Sequence, residues 1–237
     1  RLSESEGMHA AGHADSLASK YKSWIESQER KVKSEQLSAA LEATAMRHLD
    51  ACRRCLLRIE SGATLLRNDV NARRAFSMMN RAMLMQQVHY RIASQQPRRW
   101  VVEPGSHGVL KPEKPYEQPD YDQQPGRWRP FQLAFILMNL ECFVSPSVPE
   151  RDVVDVIWFP TGGGKTEAYL GLAAYTILLR RLRRATDSGT AVLMRYTLRL
   201  LTTQQFQRAS SLICAMEKLR RESADLLGEA PISIGLW

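Results

Sequence analysis

The chain has 237 residues, 44% of them hydrophobic, and a formal net charge of +8 at pH 7. This length and composition fit a globular protein with one large domain or two small ones, and no apolar run is long enough to span a bilayer. The polar amino end lacks the apolar core of a secretion signal, so we expect a soluble, cytoplasmic protein, and the positive charge favours a polyanionic partner.

Residues 1–95 are predicted to form an amino-terminal helical domain. The range 14–93 has few helix breakers, and within the range 37–59 apolar residues recur at steps of three and four. Cys52 and Cys55 fall on this helical pattern, with no second pair at metal-ligand spacing. We interpret them as packing residues of a helix rather than as zinc ligands or a redox pair.

Two features are expected to interrupt the helical pattern. Gly62 and the Asn68-Asp69 pair separate the first apolar stripe from a second one over the range 76–90, and Asp69 is a plausible N-cap for the second helix. The prediction is a helical hairpin that buries its own stripes. The alternative is a partner-binding surface, because methionine-rich stripes also suit adaptable interfaces.

A proline-rich linker is predicted over residues 96–127. Seven of the eleven prolines lie between Gln96 and Pro130, where neither a helix nor a central strand can persist. Arg98, Arg99 and Trp100 could contact nucleic acid by charge and stacking, although such patches are more often ordinary surface.

From residue 128 onward, helices and strands are predicted to alternate. The expected helices are Pro130–Phe143, Thr166–Arg184 and Thr202–Glu222, and the expected strands are Val153–Trp158, Ala191–Tyr196 and Ile232–Trp237. This alternation predicts an α/β fold with βαβ units and a parallel sheet.

A phosphate-binding loop of the Walker A kind is predicted between the first of these strands and the helix after it. Glycines allow the backbone to fold around phosphate oxygens, Lys165 supplies an ammonium for the β- and γ-phosphates, and the Thr166 hydroxyl can coordinate Mg²⁺. Phe159 departs from the usual pattern, which has glycine six residues before the lysine. The predicted ATP-binding residues of the loop are Thr161, Gly162, Gly163, Gly164, Lys165, Thr166 and Glu167.

Two flanking segments resemble motifs of superfamily 2 helicases. Gln132, in the segment 128–132, resembles the glutamine with which these helicases read adenine, and its amide has both the donor and the acceptor needed. The segment 194–205 resembles motif Ia, which implies that Thr197, with Arg195 or Arg199, contacts the backbone of a nucleic-acid strand.

The run from Trp158 to Arg208 resembles the large helicase of bacterial DISARM anti-phage defence systems, as does the segment 75–87 more loosely. The resemblance implies an ATP- and Mg²⁺-dependent DNA translocase with a partner protein from the same defence operon. It also implies that residues 128–237 are the first part of a RecA-like domain. Its acidic motif and arginine finger would then lie beyond Trp237, so we expect this chain alone to bind nucleotide at best.

Two other interpretations remain open at this stage. One is a different phosphate-loop NTPase, such as a kinase or a clamp-loader-like ATPase, in which Gln132 and Thr197 have no nucleic-acid role. The other is a non-catalytic interaction module that works through its amino-terminal helices and carries a degenerate loop at Phe159.

Overall fold

The structure is a computed structural model. It describes residues 4–95, 99–114, 119–121, 126–160, 162–196 and 199–236.

Three long helices form the amino-terminal part: α1 (Glu4–Ser34), α2 (Ala39–Asn68) and α3 (Val70–Gln95). Asp69 is the N-cap of α3, as predicted, because its carboxylate accepts the backbone N–H groups of Asn71 and Ala72, each at 2.8 Å. The sequence predicted two helices before the linker, whereas the structure has three, because residues 35–38 separate α1 from α2.

The predicted interruption at Gly62 is wrong, since α2 continues through it. A Cβ on Gly62 would lie 2.2 Å from the carbonyl oxygen of Leu137, in a later helix. The glycine is thus needed for a close approach between two helices rather than for a break in one.

A short antiparallel hairpin follows, which the sequence analysis did not predict. Its strands are β1 (Trp100–Val102) and β2 (Leu110–Pro112), with Val101 opposite Lys111. Gly105 and Gly108 in the connection both have positive φ. Of the basic aromatic patch predicted here, Arg99 and Trp100 are exposed, and Arg98 lies outside the described residues.

The predicted helices after residue 128 are confirmed. They are α4 (Pro130–Val144), α5 (Lys165–Arg183) and α6 (Arg199–Glu222); a 3₁₀ turn (Pro149–Asp152) follows α4, and a single turn, α7 (Ala224–Leu227), follows α6. Basic residues in the last turn of α5 complement the helix dipole.

The predicted parallel sheet, and with it the RecA-like α/β fold, is wrong. Across the residues that the structure describes, the β1–β2 hairpin is the only sheet. The range 153–158 is extended but pairs with no strand, and Val154 and Trp158 are 87% and 94% exposed where a buried strand was expected. The ranges 191–196 and 232–236 are likewise unpaired, and Trp237 lies outside the described residues.

Helices from both ends of the chain share one hydrophobic core. Helix α2 packs on α1 and α4, and α3 packs on α5 and α6. The largest fully buried side chains of the cluster come from α2, α3, α4, α5, α6 and α7, among them Leu66, Met79, Leu137, Tyr175, Met216 and Leu227. The core therefore places the amino end of α5, with the loop before it, beside the amino end of α4. The division into domains at residues 96–127 stays a prediction.

Candidate nucleotide-binding loop

The glycine-rich segment has the backbone conformation that only glycine adopts without strain. Gly162 and Gly164 have φ values of 78° and 88°, and Gly164 is the N-cap residue of α5. Gly163 is buried, and a Cβ there would lie 2.5 Å from the Phe159 ring. The loop therefore leads directly into a helix amino end, where the first backbone N–H groups have no partner inside the helix.

Lys165 and Thr166 occupy the first turn of α5. The Lys165 ammonium folds back to donate to the carbonyl oxygens of Phe159 at 2.5 Å and Pro160 at 3.2 Å. The Thr166 hydroxyl lies 3.0 Å from that of Tyr169. Loop carbonyls thus hold the lysine against the loop itself, and its contact with phosphate stays a prediction. Thr161 lies outside the described residues.

The Gln132 side chain lies beside the loop, and both ends of its amide form hydrogen bonds. Its Oε1 accepts the backbone N–H of Arg129 at 2.8 Å, which closes the first turn of α4 as an N3 glutamine does in a capping box. Its Nε2 donates to the Gly164 carbonyl at 2.7 Å, and the residue is 4% exposed. The glutamine predicted to read adenine therefore links α4 to the glycine-rich loop, and its contact with adenine stays a prediction.

Two further residues of this junction were not predicted from the sequence. The Arg129 guanidinium donates to the Gly163 carbonyl at 2.7 Å. The ring of Phe131 stacks on that of Phe159, with centroids 4.0 Å apart and planes 15° from parallel. This stack explains the aromatic residue at the unusual position, since Phe159 anchors the start of the loop on α4. The clue available in the sequence was that Phe159 is an unusual aromatic residue in the loop and that a second aromatic residue, Phe131, directly precedes Gln132.

Asp155 fixes the extended segment before the loop to the amino-terminal helices. The Arg58 guanidinium of α2 donates to both carboxylate oxygens of Asp155, at 2.7 and 2.6 Å, and also to the Met138 carbonyl of α4 at 3.2 Å. The ion pair with Asp155 raises the pKa of Arg58. This bidentate pair is one of the contacts that position the loop.

Glu167, in the first turn of α5, reaches from the loop end of the helix to α6, where it forms an ion pair with Arg208. Tyr169, one turn into α5, lies beside Tyr196. Burial, followed by the neighbouring Tyr169 hydroxyl, raises the pKa of Tyr196. The first turns of α5 are therefore in contact with both the segment before α6 and α6 itself.

The predicted nucleic-acid residues lie at this same end of α6. Arg195 is exposed, and Arg199 is the first residue of α6. Thr197 and the side chain of Arg199 lie outside what the structure describes. Arg195 thus lies in the segment before α6 and Arg199 begins that helix, while their contact with nucleic acid stays a prediction.

The arginine cluster at the end of α5 makes contacts within the chain. Arg180 pairs with Asp187 at 2.6 Å, and Arg183 donates to the Phe143 and Val144 carbonyls at the end of α4. Arg181 is 3% exposed and donates to the Ala185 and Ala230 carbonyls. These arginines satisfy backbone carbonyls that helix ends and turns leave open.

Within the described ranges, no group of three or more His, Cys, Asp or Glu side chains could hold a metal ion, and Cys52 and Cys55 are half-buried on α2. None of the described helices is both long enough and apolar enough to cross a membrane.

Comparison with known proteins gives one informative match. No protein-family model matches the chain. The chain is 38% identical over 231 residues to the DISARM protein DrmA of Bacillus paralicheniformis, an alignment that covers 94% of the chain. It spans 19% of the length of that curated relative. The sequence is therefore related to a DISARM protein, which agrees with the resemblance found from its motifs.

Proposed function

We propose that this chain carries the triphosphate-binding part of an ATP-dependent DNA translocase of superfamily 2 that acts in anti-phage defence. Lys165 binds the β- and γ-phosphates, Thr166 coordinates Mg²⁺, and the loop 161–164 surrounds the phosphates with Glu167 at its helical end. Hydrolysis in this proposal requires acidic and arginine groups that the described residues do not supply.

The observation that carries the proposal is the geometry of the loop. Two glycines at positive φ lead into the amino end of a 19-residue helix whose first two residues are Lys165 and Thr166. In phosphate-binding loops, backbone N–H groups, a helix dipole and a lysine ammonium at these positions bind a triphosphate.

The DNA part of the proposal rests on different observations. Arg195 is exposed in the segment before α6, and the chain carries a formal net charge of +8. Arginines ahead of a helix amino end suit contacts to phosphates that carry no sequence information. The relation to DrmA supports a defence role and, with it, a partner protein from the same operon.

Nucleotide binding can be tested by titrating the full-length protein with a fluorescent, non-hydrolysable ATP analogue in the presence of Mg²⁺. Lys165→Ala removes one charge-assisted contact to phosphate, so we expect affinity to fall by about 10- to 100-fold. The matched control is Lys111→Ala on the exposed β-hairpin, which should bind like the parent protein. Equal affinity in all three proteins would exclude the loop as the site.

DNA binding is tested separately, because a phosphate-loop NTPase with no nucleic-acid role would also bind the ATP analogue. A single-stranded oligonucleotide should bind the full-length protein, and Arg195→Ala should weaken binding and reduce the dependence of the binding constant on salt by about one ion. Arg221→Ala, at the opposite end of α6, is the control. Binding of nucleotide without any binding of DNA or RNA would favour the NTPase alternative.

A further inference from the structure

Two contacts join the phosphate-binding end of α5 to the elements predicted to touch nucleic acid. The first is the Glu167–Arg208 ion pair between α5 and α6, whose side chains are 22% and 26% exposed. The second is the 3.0 Å hydrogen bond between the hydroxyls of Thr166 and Tyr169, beside which the Tyr196 hydroxyl lies without a hydrogen-bond partner among the described residues. Both start from the two residues that follow Lys165, and Tyr196 directly follows Arg195.

The polar groups at this junction are incompletely paired. In the part of the chain that the structure describes, Glu167 Oε2, the Tyr196 hydroxyl and Gln205 Oε1 are buried and have no hydrogen-bond partner. Glu167 pairs with Arg208 through Oε1 alone, although a carboxylate and a guanidinium can form two parallel bonds. A buried carboxylate oxygen without a partner is costly, so a second arrangement that pairs it is energetically accessible.

The unpaired carboxylate oxygen of Glu167, Oε2, also lies next to the loop. A Cβ built on Gly164 would lie 3.3 Å from Glu167 Oε2 and 2.7 Å from Gln132 Nε2. A phosphate that enters the loop brings negative charge to the first turn of α5, which disfavours the free carboxylate oxygen there and favours a closer pair with Arg208. Since Arg208 is on α6, a closer pair shifts the helix that begins at Arg199, one of the predicted nucleic-acid residues.

We propose that Arg208 is the positioning residue that couples nucleotide binding at the loop to nucleic-acid binding at the amino end of α6, acting through Glu167. Triphosphate favours the fully paired Glu167–Arg208 arrangement, and the same arrangement favours the position of α6 that binds a nucleic-acid strand. By thermodynamic linkage, nucleic acid then raises nucleotide affinity by the same factor. This inference rests on the proposed function, because it needs both ligands.

The coupling factor is measured in the full-length protein as the ratio of nucleotide affinities with and without saturating single-stranded oligonucleotide. We expect a ratio of at least about fivefold for the parent protein. Arg208→Gln should bring the ratio close to one while each ligand alone binds within about threefold of its parent affinity. Arg208→Lys retains the positive charge and should keep part of the coupling. This result would distinguish an ionic interaction from a packing effect.

The control is Arg221→Gln, which removes the same group from the same helix but from a pair with Glu217 that does not touch the loop. Because the ratio is measured within each variant, a loss of stability common to both states does not change it. An unchanged ratio in Arg208→Gln would overturn the proposal, as would a parent protein that binds both ligands with a ratio of one. In that second case the proposed function survives, whereas a parent protein that binds no nucleotide overturns both.

Discussion

At the scale of single residues, the candidate site depends on backbone conformations that a side chain would disturb. Gly164 has a φ of 88°, and its ideal Cβ position lies 2.7 Å from Gln132 Nε2. The same residue is the N-cap of α5 and its carbonyl accepts the Gln132 amide. Gly164 therefore determines the backbone turn, the start of α5 and the hydrogen bond that links the loop to α4.

Gly164→Ala should lower nucleotide affinity by at least about tenfold and destabilise the protein by about 1–3 kcal/mol, because alanine is strained at positive φ and collides with Gln132. Nucleotide titration and thermal unfolding check the two effects. Gly12→Ala is the matched control, since this glycine lies inside α1 and its ideal Cβ position has no neighbour within 4 Å. There the substitution should slightly stabilise the protein. Equal behaviour of the two variants would contradict the strain argument.

The residues of the loop could be predicted from the sequence because the motif is local: glycines, Lys165 and Thr166 are consecutive and need only the helix that follows. The loop partner of Gln132 could not be predicted, because its amide donates to a carbonyl 32 residues away. That contact exists because α4 begins beside the loop, which is a property of the packed core. The same holds for the Phe131–Phe159 stack and for the Glu167–Arg208 pair.

At the scale of elements, helices were predicted well and strands were not. A helix satisfies its backbone groups within itself, so the periodic patterns of α3, α4 and α5 were sufficient, whereas Gly62 misled the prediction for α2. A strand is defined by a neighbour. The β-branched run at residues 153–158 has strand propensity, but propensity of this kind reflects packing on a sheet, and in the described chain no segment pairs with it.

The crossing of α2 and α4 depends on Gly62, whose ideal Cβ position lies 2.2 Å from the Leu137 carbonyl oxygen. Gly62→Val should therefore destabilise the protein by about 2–4 kcal/mol, because backbone atoms of α4 must move to admit the side chain. Denaturant unfolding measures this change. Ala43→Val, at an exposed position of the same helix, controls for helix propensity and should cost below about 1 kcal/mol. Similar losses in both variants would refute the close crossing.

Helix α6 holds the carboxyl-terminal extended segment through Glu217. Its carboxylate accepts bonds from Arg220 and Arg221, and from the backbone N–H of Ile232 at 2.9 Å. The Arg220 hydrogen bond is the main reason that the pKa of Glu217 falls from 4.5 to about 2. A carboxyl whose pKa is lower in the folded state stabilises the fold above its unfolded pKa, and this contribution is lost as the pH falls through the folded pKa.

Glu217→Gln should therefore destabilise the protein by about 1–2 kcal/mol at pH 7, with a difference from the parent that shrinks between pH 4.5 and about 2. Urea unfolding of both proteins at a series of pH values gives this difference directly. Glu222→Gln is the control, because that carboxylate is 55% exposed and lies 3.9 Å from the Lys218 ammonium. A difference that is constant with pH would show that packing, not charge, carries the effect.

At the scale of the whole molecule, the two ends of the chain are packed together. Buried side chains of α3, such as Met79 and Ala82, belong to the same hydrophobic cluster as Leu178 of α5 and Met216 of α6. The Arg58–Asp155 pair adds a bidentate link from α2 to the segment that leads into the phosphate loop. This packing favours a single cooperative unit, in which the amino-terminal helices support the candidate nucleotide-binding loop.

Residues 128–237 produced alone should consequently show no cooperative thermal unfolding, because the faces of α4, α5 and α6 that α2 and α3 cover would be exposed to water. Co-production with residues 1–95 should restore the transition. Replacing residues 100–112 by a glycine-serine segment of equal length is the control and should leave it unchanged, since both strands of the hairpin are largely exposed. Cooperative melting of residues 128–237 alone, at the temperature of the whole chain, would instead establish two independent domains. The phosphate loop would then fold without support from the amino-terminal helices, and Arg58→Ala should leave nucleotide affinity unaltered.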